Sequence, residues 1–152
     1  FDAVAAVAGL HDQVGFEGQA AMALEQAVDR NVTDADTVVI DDGTPFLLHG
    51  SELVAAAARA ADDGTPVATV AARFHRGVVG LVVEACALAR ERTGLRVVAL
   101  SGGVFQNAFL VEHLVPALTA IDFEVLTHRD VPPNDGGISF GQAAVAAARL
   151  QT

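Results

Sequence analysis

Two short stretches carry the residue types that could do chemistry: Ser101-Gly102-Gly103-Val104-Phe105-Gln106-Asn107 and Val131-Pro132-Pro133-Asn134-Asp135-Gly136-Gly137. Each stands where an apolar, β-like run gives way to a helical pattern. The first follows Val97-Val98-Ala99-Leu100 and precedes a run whose apolar positions include Phe109, Leu110, Leu114 and Leu118. A strand, a glycine turn and a helix in that order aim backbone N–H groups and a positive helix end at an anion. The second stretch sets a carboxylate beside two residues without Cβ, just before the last helical pattern. A nucleotide or metal–phosphate site is the chemistry this implies.

The elements that must position these stretches read as α/β. A helix is expected over residues 2–8, stopped by Gly9, and a second over 17–29 with Ala20, Ala21, Leu24, Ala27 and Val28 on one face. Thr37-Val38-Val39-Ile40 and Phe46-Leu47-Leu48 flank Asp41-Asp42-Gly43-Thr44-Pro45 as a hairpin around its turn. Ser51 is expected to cap a helix that ends near Asp62. The pentapeptide Asp-Asp-Gly-Thr-Pro recurs at 62–66, where Gly64 would end that helix, Thr65 cap the next and Pro66 take its first position.

The longest helix is expected over 66–93. Its stripe of Val67, Val70, Phe74, Val78, Leu81, Val82, Ala85 and Ala89 predicts that it crosses the core, and Gly94 ends it. A strand over 96–100, a helix over 106–120, a strand over 123–127 and a helix over 137–150 complete the chain. The strand–helix–strand order predicts Val97–Leu100 and Glu124–Leu126 as neighbours in one sheet, joined by a right-handed crossover. No linker or low-complexity tract interrupts this pattern, so residues 1–152 read as a single domain.

Composition narrows the function classes. The chain has 152 residues, 52% of them hydrophobic and 18% charged, which suits one well-cored domain or lobe. Its formal net charge is −10 and it contains no lysine. A nucleic-acid surface needs clustered Lys and Arg, so the composition argues against one, and a P-loop needs its lysine and is excluded. Phosphates bound here would have to be held by backbone amides, by a metal, or by residues outside the chain. A lone cysteine, Cys86, and the lack of any run of membrane-spanning length lead to the expectation of a reduced, cytoplasmic setting. Phe1 opens the chain inside a helical pattern with no methionine, which suggests a piece cut from a longer polypeptide.

Five motifs, in order and along the whole chain, resemble the C-terminal end of HypF-type carbamoyltransferases. They are Phe1-Asp2-Ala3-Val4-Ala5-Ala6, Phe16-Glu17-Gly18-Gln19-Ala20-Ala21-Met22, Ala72-Arg73-Phe74-His75-Arg76-Gly77, Ala99 through Asn107, and Val131 through Ile138. That family matures [NiFe] hydrogenases. The resemblance implies formation of carbamoyl-adenylate from carbamoyl phosphate and ATP, then transfer of the carbamoyl group to the C-terminal cysteine of a partner, HypE.

It also implies a domain like the universal tRNA-threonylcarbamoyltransferase, with the actin-like ATPase architecture of two lobes around a nucleotide cleft. This chain looks like the C-terminal lobe of that domain. The family's metal site joins a His-x-x-x-His pair on the other lobe to an aspartate on the C-terminal one. Of His11, His49, His75, His113 and His128, no two are four apart. A divalent metal (iron, zinc or magnesium) would therefore be shared with a lobe outside this chain, and the isolated chain is expected to be inactive.

Residue by residue, Asp135 matches the metal-binding aspartate, and a hard carboxylate oxygen suits a divalent ion. On spacing alone a helix N-cap or turn is the simpler role. Gly102 and Gly103 match the nucleotide-contacting loop, against an ordinary strand-to-helix turn. Asn107 matches a substrate-contacting asparagine, against a polar position in a first helical turn. Asp2 matches an aspartate on the nucleotide ribose, against a first-turn acid favoured by the helix dipole. Glu17 and Gln19 are expected to face the cleft, although a capping interaction would also account for Glu17.

His75 reads as a hydrogen-bonded structural residue and Cys86 as a small apolar one, since the family's acceptor cysteine belongs to the partner. No catalytic base is assigned. Two alternative functions are an antibiotic O-carbamoyltransferase lobe and a non-catalytic nucleotide-binding or assembly lobe. A sugar or acetate kinase of the same superfold would need further carboxylates for phosphoryl transfer.

Overall fold

Glycines at the ends of apolar helical runs set the local architecture. In the computed structural model, which describes residues 1–11 and 13–150, α1 spans Asp2–Val7 and closes with Gly9 at φ +73°. The Gly9 N–H donates to Ala6 and the Leu10 N–H to Ala5 (3.0 and 2.9 Å), so the last carbonyls are satisfied by a left-handed cap. The same pattern ends α3 (Gly50–Asp62): Gly64, at φ +77°, donates to Ala61, and Thr65 donates to Ala60. Gly94, at φ +73°, ends α4 (Val67–Thr93).

The chain is α/β and forms two compact units, Phe1–Gly94 and Leu95–Thr152. In the first, α1, α2 (Gln19–Gln26), α3 and α4 enclose a core of Val4, Ala5, Leu24, Leu53, Ala57, Val70, Ala71 and Phe74. Gly77 marks the tightest approach in that core. A Cβ there would lie 2.8 Å from Leu53 Cδ2 and 3.1 Å from the Asp36 carbonyl oxygen, so a larger residue would force the Leu53 side chain and the Asp36 backbone to shift. The expected hairpin forms, but with shorter strands: β1 (Ile40–Asp41) pairs antiparallel with β2 (Leu47–Leu48).

Three local expectations are corrected. Ser51 does not cap α3; it lies inside the first turn, and His49 holds the cap position without a side-chain bond. Thr65 does not cap α4 either. Pro66 is itself the N-cap, with extended ψ, and Val67 is the first helical residue. The helix α4 crosses the core only through its first half. Val70, Phe74 and His75 are buried, whereas Val82, Ala85 and Ala89 are half-exposed.

The second unit pairs the two strands that the strand–helix–strand order predicts. The strand β3 (Val97–Leu100) runs parallel to β4 (Glu124–Thr127) in the register Val97–Glu124 through Leu100–Thr127. Between them lies α5 (Ala108–Ala120), whose Phe109, Leu110, Leu114 and Leu118 are all at most 1% exposed. Each such burial contributes about 1.5–3 kcal/mol. The last helix, α6, covers Ile138–Arg149.

His75 is the one fully buried imidazole among the described residues. Its Nδ1 lies 2.8 Å from the Ala71 carbonyl, and its ring meets Phe1 and Phe74 edge-on. Burial pushes its pKa below the usual histidine value, with desolvation outweighing the Ala71 bond and the field of Glu25. The folded chain therefore declines a proton that the unfolded chain accepts below about pH 6.5. Stability is complete above that pH and falls as the pH drops through it. Melting temperatures from pH 7.5 to 5 should show this loss, and His75→Gln should flatten the slope while lowering the plateau.

Candidate functional site

The two glycine stretches meet at the carboxyl edge of the β3–β4 pair. Beyond Leu100 the chain turns through Gly102, at φ +107° and ψ 160°, a conformation open essentially to glycine alone. The Gly102 N–H donates to the Pro133 carbonyl at 2.8 Å, tying the first stretch to the second. Gly103 opens a short 3-10 turn, Gly103–Gln106, and an added Cβ there would lie 4.0 Å from Asn134 Cβ. Asn107 then N-caps α5, its Oδ1 accepting the Leu110 N–H at 2.9 Å. Asn107 thus sits one residue before the first helical turn, and any ligand contact is added to a capping role.

The second stretch is equally constrained. Asp135–Gly137 forms a 3-10 turn leading into α6, and Asn134 caps it by accepting the Gly136 N–H at 3.0 Å. A Cβ on Gly137 would lie 2.7 Å from the Pro132 carbonyl oxygen, closer than backbone permits, which explains why this position is glycine. Asn134 therefore performs the capping that spacing offered to Asp135. The Asp135 carboxylate is exposed and takes part in no side-chain hydrogen bond among the described residues. As a single hard oxygen ligand it fits one position of a divalent metal site. Among the described residues, no three His, Cys, Asp or Glu side chains converge as a metal cluster.

A third contact at this edge was not singled out from sequence. Ser101 Oγ and His128 Nε2 lie 2.9 Å apart. They are the residues that follow Leu100 and Thr127, which face each other in register. Only that register brings them together, because 27 positions separate them in the chain.

The other predicted residues belong to the first unit. Asp2 is an exposed acid in the first turn of α1. Glu17 is exposed just ahead of Gly18, which caps α2 at φ +80° with no side-chain bond, so Glu17 is not a capping residue. Gln19 folds back, its Oε1 accepting the Gly15 N–H at 2.7 Å.

The stretch Ala72 through Gly77 makes core and strut contacts along its length. Arg73 Nη2 stands 2.7 Å from the buried Asp36 carboxylate, a charge contact without hydrogen-bond alignment. Ala72, Phe74 and His75 are core, Arg76 Nε donates to Val32 O at 2.7 Å, and Gly77 makes the close approach. Cys86 is half-buried, and burial pushes its thiol pKa up, away from nucleophilic use. A polar hollow of about 400 Å³, lined in part by Asp36, Glu52, Arg59, Asp63 and Arg73, includes Arg73 of the third motif but none of the predicted nucleotide- or metal-binding residues.

Comparison with known proteins gives a consistent picture. The family model for the second subdomain of the carbamoyltransferase Kae1-like domain matches residues 1–142. The carbamoyltransferase HypF of Synechocystis sp. is 34% identical over 149 residues, covering 93% of this chain and 18% of the relative. That of Rhizobium leguminosarum is 36% identical over 151 residues, covering 96% and 19%. A crystal structure of full-length HypF in a phosphate- and nucleotide-bound form matches with a TM-score of 0.94 at 36% identity, over 100% of this chain and 20% of that one. The chain thus spans about a fifth of the length of these relatives. Among the described residues, no helix is long and apolar enough to cross a membrane.

The edge geometry makes a direct stability prediction. Gly102→Ala should cost about 1–3 kcal/mol, because alanine is strained at that φ and ψ. Asn134→Ala should cost about 1 kcal/mol through loss of its cap. Asp135→Ala should stay within about 0.5 kcal/mol of the parent. Denaturant melts of the three variants check this ordering.

Proposed function

The chain belongs to the HypF carbamoyltransferase family, and on that premise we propose that it supplies the C-terminal lobe of a carbamoyl-transfer site. In this reading the full-length protein makes carbamoyl-adenylate from carbamoyl phosphate and ATP. It then carbamoylates the C-terminal cysteine of HypE in [NiFe]-hydrogenase maturation. The observation that carries the reading is the Gly102–Pro133 hydrogen bond, which holds a side-chain-free loop beside an uncapped, exposed Asp135. The matched HypF crystal structure, in a phosphate- and nucleotide-bound form, supports the same assignment.

Each residue has a defined part. Gly102 and Gly103 let backbone approach the phosphates closely, which a chain without lysine requires. Asn107 contacts the nucleotide from the head of α5, and Asp2 contacts the ribose. Glu17 and Gln19 face the nucleotide cleft between this lobe and the other one of an actin-like ATPase fold. A divalent metal (iron, zinc or magnesium) would take Asp135 as its ligand from this chain and, when bound, supplies positive charge to phosphate or carbonyl oxygens.

Because Asn134 provides the cap, substitutions at Asp135 report on ligation alone. In the full-length enzyme, Asp135→Ala and Asp135→Asn should both abolish carbamoyl transfer and lower bound metal, with melting temperatures near the parent's. An Asp135→Asn enzyme with full activity and normal metal content would discard the ligand role. The isolated chain, holding half of a cleft, should bind ATP with magnesium more weakly than micromolar in calorimetry. Micromolar binding would show that this lobe is sufficient by itself.

A further inference from the structure

Carbamoyl transfer to a cysteine has a proton problem that neither glycine loop solves. A thiol with an ordinary pKa near 8.5 is only a few per cent thiolate at neutral pH, and the thiolate is the nucleophile. A base at the carboxyl edge of the sheet that takes the S–H proton would supply the nucleophile. Asp135 is committed to the metal in the proposed function, and Asn134 and Asn107 are amides engaged as caps.

His113, the other imidazole of this unit, is held on α5, with its Nδ1 2.8 Å from the Phe109 carbonyl and its ring stacked on Phe109. His128 differs on every count. It is exposed, it follows the last residue of β4, and its Nε2 lies 2.9 Å from Ser101 Oγ, the hydroxyl that opens the glycine loop. Carboxyl ends of parallel strands are where open α/β sheets bind their ligands, and a hydroxyl within hydrogen-bond reach of an imidazole is the arrangement of a nucleophile–base pair.

Resting on the carbamoyl-transfer reading, we infer that Ser101 and His128 form the proton acceptor for the attacking thiol. In the tautomer with Nδ1 protonated, the Ser101 hydroxyl donates to Nε2 and keeps its oxygen lone pairs for an incoming S–H. In the transfer step the thiol proton passes to Ser101 Oγ as the serine's own proton passes to His128 Nε2. The sulfur forms a bond to the carbamoyl carbon. The bond from that carbon to the adenylate phosphate oxygen breaks, its electron pair leaving with AMP. Serine is regenerated, and His128 later returns its proton to solvent. Ser101 forms no covalent intermediate, and the relay has no part in adenylate formation, where no thiol is present.

The test uses the full-length enzyme, carbamoyl phosphate, ATP and an acceptor protein ending in cysteine. Pyrophosphate release and carbamoyl transfer are measured separately. His128→Gln keeps an amide able to bond Ser101 but cannot take a proton at neutral pH. Transfer at pH 7 should fall by about 10²-fold or more, while pyrophosphate release stays within twofold. The deficit should shrink as the pH rises towards 9 and the thiol ionises unaided. Ser101→Ala should show the same selective loss.

Transfer by His128→Gln at parental rates, a deficit that does not change with pH, or an equal loss of both half-reactions would overturn the relay. The last of these would leave the pair as a clasp of the loops. A parental enzyme that releases pyrophosphate but never loads the thiol would instead sink the carbamoyl-transfer reading itself.

Discussion

The hydrogen bond from the Gly102 N–H to the Pro133 carbonyl is the contact on which the candidate site depends. It closes a ring of backbone: out of β3, across to Pro133, and back along the segment that leaves β4. For Gly102 to point its N–H at Pro133 while Gly103 starts a new turn, its φ and ψ must enter a region closed to residues with a Cβ. Gly137, pressed against the Pro132 carbonyl, fixes the other side of the ring. Two glycines thus serve shape, and shape is what leaves Asp135 uncovered. Because Asn134 takes the capping bond, the neighbouring carboxylate is not drawn into the turn.

The absence of lysine gives this geometry its chemical meaning. A chain with net charge −10 repels phosphate at long range. A phosphate bound here would therefore need short-range, directional donors such as backbone N–H groups, a metal that supplies the missing positive charge, or residues outside the chain. The arginines near the core of the first unit do not fill this role. Arg73 is drawn to the buried Asp36, and Arg76 donates to the Val32 carbonyl, so both act as struts. A motif that resembles the family as strongly as the glycine stretches is, in this structure, part of the scaffold.

Much of the fold was legible in the linear pattern. The glycine stops at Gly9, Gly64 and Gly94 and the four buried positions of α5 stand where periodicity puts them, as does the pairing of β3 with β4. These features depend on local preference, on a helical repeat, or on a short crossover with one favoured hand, and all three are written within a few turns of chain. The caps were less legible. Ser51 and Thr65 have the right chemistry for capping, but the backbone enters α3 and α4 at His49 and Pro66, because helix entry angles answer to packing as well as to side-chain preference. Likewise α4 carries an apolar stripe along its full length, yet only its first half finds a core within its unit.

By itself, the sequence determined the elements, their order, the absence of lysine chemistry and the two glycine stretches at the strand ends. Tertiary structure alone decided which atoms in those stretches are engaged. The parallel register places Ser101 opposite His128, and the return of the chain brings the Pro133 carbonyl under Gly102. The capping bond goes to Asn134 and not to Asp135. Such choices depend on the spacing of groups distant in the chain to within a few tenths of an ångström, and hydrogen-bond geometry does not survive larger errors. Residue types state which bonds are possible, and only the folded backbone selects among them.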